Sequence, residues 1–246
     1  MKKLFLGFCL LVGFATKAQT VDDQPFLQDR ADKFSLKEGE GNVNLLQVGS
    51  DRNKAIKVLS SQGLMLPHEK NLRQDLQYRP LLDMNLVALT EYQGQFVYLT
   101  DKAVLSNAWA GKLYISHSIK APKAMGIGPD FLTLIVGEGD FVIFKNDQEI
   151  WRSSIDNPKP ITVQYDPNSG QFLLLTADGL YQIDGSSKLA TKVFNGTNLT
   201  AFTLHDDSIV LGTTNGVQIL DRKTFVPIKL DQKLPWTEIT TVKNIR

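Results

Sequence analysis

Three histidines, His68, His117 and His205, are the side chains best suited to proton or metal chemistry near neutral pH, and their spacing supports neither. No two stand at i, i+2 or i+4 and no H-E-x-x-H stretch contains them, so no metal site is expected. The stretch GEGD at 137–140 has the glycines of a phosphate loop but lacks the following Lys and helix, and it reads as a turn. No G-x-S-x-G occurs. Asp83, Glu91, Asp130 and Glu138 have the chemistry for paired acid–base work, but nothing in the sequence selects a pair, and solvated loop carboxylates are the ordinary case. No cofactor is expected, and the enzyme question leans towards no.

The 246 residues are 42% hydrophobic and 22% charged, enough for a substantial core. Residues 1–18, MKKLFLGFCLLVGFATKA, join two lysines, an apolar run and small residues before Gln19, the form of a bacterial secretory signal. That run is too short for a spanning helix, which needs roughly 20 residues. The expected location is therefore periplasmic or secreted. Cys9, the one cysteine, leaves with the signal, so the mature chain has no thiol for a disulfide, metal ligand or nucleophile. It then holds 24 basic and 26 acidic residues, net −2, which does not suggest nucleic acid. No membrane span is expected in the given chain.

The elements that must position any site repeat. GTTNGVQIL at 212–220 echoes LTADGLYQI at 175–183, and LSSQGLML, LTDKAVLS and VGEGDFVIF occur upstream. Anchored on Gly63, Ala103, Asp140, Gly179 and Gly216, the copies are 40, 37, 39 and 37 residues apart. Each unit carries four short runs rich in β-branched and aromatic residues, separated by turns such as PNSG, DG and GSSK. No sustained helical period is present. The expected fold is all-β: a β-propeller of four-stranded blades, five recognisable plus the first strand of another.

The domain reading is signal peptide 1–18, lead-in 19–42 and propeller 43–246, with blades near 43–80, 84–117, 121–155, 160–196 and 198–231 and a further start at 235–246. The lead-in is either a flexible segment or the source, through KFSLKEG, of an outer strand. The opened sixth blade is expected either to be completed by the N-terminal segment or to continue in a longer chain, the second being favoured. The anchor glycines are expected to supply positive φ at tight turns, with Ala103 turning differently or under strain.

LGTTNGVQILD followed by KLPWTEITTV resembles the repeat of the two-component regulator propellers, in which G-T-x-x-G precedes an apolar residue and the next blade opens with L-P. The likeness is closest over 200–242 and fair over 161–195. Where that family carries Trp, two residues before the Gly of G-T, this chain has Val210. The resemblance implies a periplasmic sensor array that reads a glycan or passes a signal to a partner, often as the front part of a larger signalling protein.

In a four-stranded blade the turn between strands two and three and the connection to the next blade share one end. That end is expected to gather Tyr78, Arg79, Asp83, Lys102, His117, Glu138, Asp178, Asn215 and Trp236, with Gln62 and Lys120 beside them. Mixed charge with Tyr and Trp suits a glycan or protein ligand, and a downstream domain of the same protein is a further partner left open. The expected function is an exported binding or sensing module. The alternatives are a propeller-type carbohydrate-active enzyme, a polysaccharide lyase or glycoside hydrolase, and a structural array supporting a downstream domain. An enzyme should gather two or more perturbed ionisable groups in one cleft.

Overall fold

The computed structural model describes residues 35–36, 43–76, 84–106, 114–156 and 159–229. A two-residue strand, β1 (Ser35–Leu36), precedes five antiparallel meanders. The first is β2 (Leu45–Ser50), β3 (Ile56–Ser60), β4 (Gly63–His68) and β5 (Asn71–Gln74). The second is β6 (Leu86–Tyr92), β7 (Gln95–Thr100), β8 (Ala103–Ser106) and β9 (Tyr114–Ser116). The third is β10 (Ala124–Ile127), β11 (Thr133–Val136), β12 (Asp140–Lys145) and β13 (Gln148–Ser154). The fourth is β14 (Pro160–Asp166), β15 (Gln171–Thr176), β16 (Gly179–Asp184) and β17 (Leu189–Asn195). The fifth is β18 (Leu199–His205), β19 (Ser208–Thr213), β20 (Gly216–Asp221) and β21 (Pro227–Ile228). This is the expected β-propeller, with the first strands β2, β6, β10, β14 and β18 adjoining in succession. β1 pairs in parallel with β5, so the KFSLKEG segment does supply an outer strand, to the first blade. The stretch at 235–246 lies outside the described residues.

The second strands of blades two, three and four, β7, β11 and β15, are buried on both faces, which is why FVYL, LIV and FLLL read as unbroken apolar runs rather than alternating ones. The pleat sends alternate residues to opposite blade interfaces. In β15, Phe172 and Leu174 pack with Phe141 and Ile143 of blade three, whereas Leu173 and Leu175 pack with Phe202 and Leu211 of blade five. Blades two and three meet through Val97, Leu99, Ile135 and Val142, and blades one and two through Leu59, Leu64, Phe96 and Tyr98. Each such Leu or Phe contributes roughly 2 kcal/mol by burial alone.

The turn between strands two and three is strapped by a hydroxyl. Ser60, Thr100, Thr176 and Thr213 each close strand two, and each donates to the carbonyl three residues on: Gly63, Ala103, Gly179 and Gly216, at 2.8–3.0 Å. In return Thr100 Oγ1 accepts the N–H of Lys102 and Ala103, which explains how that unit turns without glycine. The same four residues stand opposite a bulge near the start of strand one, as in the pairs Leu86↔Thr100 and Leu199↔Thr213. Blade three has neither device. Its turn is one residue longer, Val136 ends the strand, and β10 pairs with β11 without a register shift.

The expectation for the anchor glycines holds at Gly63 (φ 105°) and Gly216 (φ 119°) and fails at Gly179, whose φ is not positive. Glycine is needed there for space: a Cβ would lie 2.4 Å from Phe194 O and from Lys192 Cε.

Candidate functional site

Main-chain hydrogen bonds tie each turn between strands two and three to the inter-blade connection at the same end. His117 N–H donates to Lys102 O at 3.0 Å, Ile155 to Gly139 O, Gly196 to Asp178 O and Thr214 to Asn198 O. Lys102, His117, Glu138, Asp178 and Asn215 therefore emerge at one end of the blades. Tyr78, Arg79, Asp83 and Trp236 lie outside the described residues.

The charge at this end concentrates where blades two and three meet. Arg152, on β13, donates to Asp140 Oδ2 at 3.3 Å, to Ser118 Oγ at 3.1 Å and through two nitrogens to both oxygens of Glu149. The hydrogen bond from Arg152 holds the Glu149 carboxyl below its usual range, and the reverse interaction pushes the guanidinium up. Glu138 pairs with Lys123 at 3.1 Å on open surface. His117 Nε2 lies 3.1 Å from Thr100 O, and a carbonyl partner makes that nitrogen the donor. Burial pulls the His117 pKa down despite its Thr100 hydrogen bond and the charge of Asp101, with Arg152 adding to the fall, so the ring is neutral at pH 7. His117 Nδ1 and Asp101 Oδ1 are buried acceptors with no hydrogen-bond partner among the described residues.

Asp178 and Asn215 serve their own turns. Asp178 takes hydrogen bonds from Lys192 Nζ at 2.7 Å and Thr176 Oγ1, and these, the lysine foremost, hold its pKa down. The N–H of Asn215 donates to Thr213 Oγ1. Asp101, Ser118, Asp140, Glu149 and Arg152 were not selected from the sequence. The available signal was the Glu149 to Arg152 spacing, i to i+3, which on an irregular or bulged outer strand gives no cue to a shared site. Among the described residues no group of three or more His, Cys, Asp or Glu is arranged to hold a metal.

A hollow of about 460 Å³ at this same end includes Gln62, Gln74 and Asp75, between blades one and two. A larger pocket of about 730 Å³ opens at the opposite end, where β6, β10 and β14 run out into the turns between strands one and two. It is lined by Glu91, Tyr92, Gln164 and Tyr165, with Gly126 and Gly128 of blade three among them. That end was not favoured by the sequence reading. Tyr92 packs on Phe131 with centroids 5.1 Å apart, and Tyr165 meets Phe172 edge-on at 5.2 Å. Burial raises the Tyr165 pKa, with Asp166 adding to it. Beneath this rim Arg222 of blade five binds Asp166 of blade four in a buried ion pair and donates to Asp206 O at 2.6 Å.

No protein-family model and no curated protein matches the sequence. Solved structures do match in fold. The extracellular domain of a hybrid two-component system from B. thetaiotaomicron superposes with a TM-score of 0.59 at 12% identity, over 80% of this chain and 29% of that one. The WD40 domain of Neurospora crassa Pan2 gives 0.56 at 12% identity, over 76% and 65%. A chain of a nidogen/laminin complex gives 0.58 at 10% identity, over 80% and 83%. The shared property is the propeller. This chain spans under a third of the length of the two-component domain. Among the described residues no helix is long and apolar enough to cross a membrane.

Proposed function

We propose that the chain is an exported recognition module of the sensing type, which binds a glycan or a partner protein at the end carrying Lys102, His117, Glu138, Asp178 and Asn215, together with Tyr78, Arg79, Asp83 and Trp236. The observation that carries this reading is the mixed-sign belt at the junction of blades two and three. Arg152 is tethered there to Asp140, Glu149 and Ser118, beside exposed Lys102, Lys120, Lys123 and Glu138. Such a surface suits an extended ligand: its charges are solvated, of both signs, and set on turns held by a rigid frame. The Arg152 hydrogen bond holds the Glu149 carboxyl below its usual range, which favours binding over proton transfer there. Export is supported by residues 1–18, and the sensing role draws on the extracellular two-component domains that share the fold.

The test uses the absence of thiols after residue 9. In a Cys9→Ser background, a benzophenone is attached to Lys102→Cys or to Asp147→Cys, the latter in the turn between β12 and β13 at the other end. Illumination in periplasmic extract is expected to give a glycan or protein adduct from position 102 and little from position 147. Adducts from position 147 alone, or from neither, contradict the proposal.

A further inference from the structure

The 730 Å³ pocket at the other end has a chemistry unlike the charged belt. Glu91 is the one charged side chain among the residues that line it, and no cation reaches it from them. Its two rings come from different blades, Tyr92 from blade two and Tyr165 from blade four, and both are held by a second ring, Phe131 and Phe172. Between them blade three contributes two buried glycines, which let β14 pack close and hold Tyr165 in place. A Cβ at Gly126 would lie 2.5 Å from Val163 Cγ1, and one at Gly128 would lie 2.7 Å from the Tyr165 ring. The loop that carries Phe131 is strained, since Asp130 and Phe131 stand side by side at φ 53° and 54°, a region that bulky residues rarely adopt. Strain of this kind is sustained where it positions a side chain, and here it positions the buttress of Tyr92. One oxygen of Glu91 accepts the Gly94 N–H at 2.9 Å, and the Gln164 amide nitrogen donates to Phe202 O at 2.8 Å, so both polar groups are oriented before any ligand arrives.

From this geometry we infer that the pocket is a second binding site, separate from the charged belt, and that it takes a short neutral oligosaccharide. Fixed aromatic rings match the C–H faces of sugar rings, while an oriented carboxylate and amides match their hydroxyls. A phosphate or uronate meets Glu91 and no cation among the lining residues, and an aliphatic ligand strips water from Thr90, Glu91, Gln93 and Gln164 without replacing it.

Titration calorimetry with maltotriose, xylotriose, chitotriose and trigalacturonate tests this on the full chain and on Tyr165→Ala, Tyr165→Phe, Glu91→Gln and Lys102→Ala. At least one neutral trisaccharide is expected to bind and trigalacturonate to bind more weakly. Tyr165→Ala is expected to weaken binding roughly tenfold, the order of one aromatic contact with its buried area. Tyr165→Phe should retain most of the affinity and Glu91→Gln should lose several-fold. The proposal is overturned if no neutral trisaccharide binds at about 10 mM, a concentration well above the affinities of specific sites, or if trigalacturonate binds best. It is equally overturned if Lys102→Ala abolishes binding that Tyr165→Ala retains, which moves the site to the other end. Should Tyr165→Ala fail to fold, Glu91→Gln decides, because that side chain is exposed and an unchanged affinity there also overturns the proposal.

Discussion

Thr100 and Thr176 are fully buried, and the hydroxyl of each is the device that closes a turn. Replacement by Val keeps the shape and removes the bonds; in Thr100→Val the N–H groups of Lys102 and Ala103 lose their acceptor. A loss of about 1–3 kcal/mol per substitution is expected in denaturant unfolding, the range for an unsatisfied buried group. A change below a few tenths shows that the strap is incidental. The buried pair of Asp166 and Arg222 gives a pH-dependent counterpart. Burial favours the protonated Asp166 carboxyl, but the Arg222 hydrogen bond, the Asn168 N–H and the Arg222 charge outweigh it and hold the pKa below the usual value. A lowered carboxyl pKa stabilises the fold above the unfolded value of roughly 4 and loses that contribution as pH falls through the folded value. Arg222→Met should therefore cost about 3–5 kcal/mol at pH 7, the range for a broken buried pair, and visibly less at pH 3. An equal gap at both pH values contradicts the assignment.

The blade as an element was legible because its cause is local. Turn dipeptides and runs such as ITVQYD, QFLLLTA and GLYQID place strands within a residue or two of β14, β15 and β16. The strap was present in the sequence as Ser or Thr three residues before four of the five anchors, but the anchor itself drew the attention because glycine has an obvious backbone role. Gly179 shows the limit of that reasoning. Its neighbour across the sheet, Phe194 O, belongs to a strand fifteen residues away, and no local pattern reports the approach. Gly179→Ala should destabilise by about 1–3 kcal/mol, as overpacking against backbone does. Gly139→Ala, with nothing within 4 Å and no positive φ, should stay within roughly 0.5 kcal/mol of the parent. If the two behave alike, the spatial reading of Gly179 is wrong.

At the scale of the whole molecule, the sequence led to the propeller and to one loop end, since connectivity decides which turns share an end. It did not reveal Arg152 among Asp140, Glu149 and Ser118, because that group joins the outer strand of blade three to the connection before it. Nor did it reveal the pocket between Tyr92 and Tyr165, which lies where three first strands run out side by side. Both depend on how one blade sits against the next, a relation set by alternate residues of buried strands rather than by any motif. The measurement that bears most directly on recognition at the charged end is maleimide labelling of single cysteines in intact cells against the purified protein. In the Cys9→Ser background, Lys102→Cys and Asn215→Cys are expected to label more slowly in cells than in isolation, while Asp147→Cys and Asp207→Cys at the other end label equally in both. Equal labelling of positions 102 and 215 in both settings, with protection confined to 147 and 207, contradicts recognition at that end.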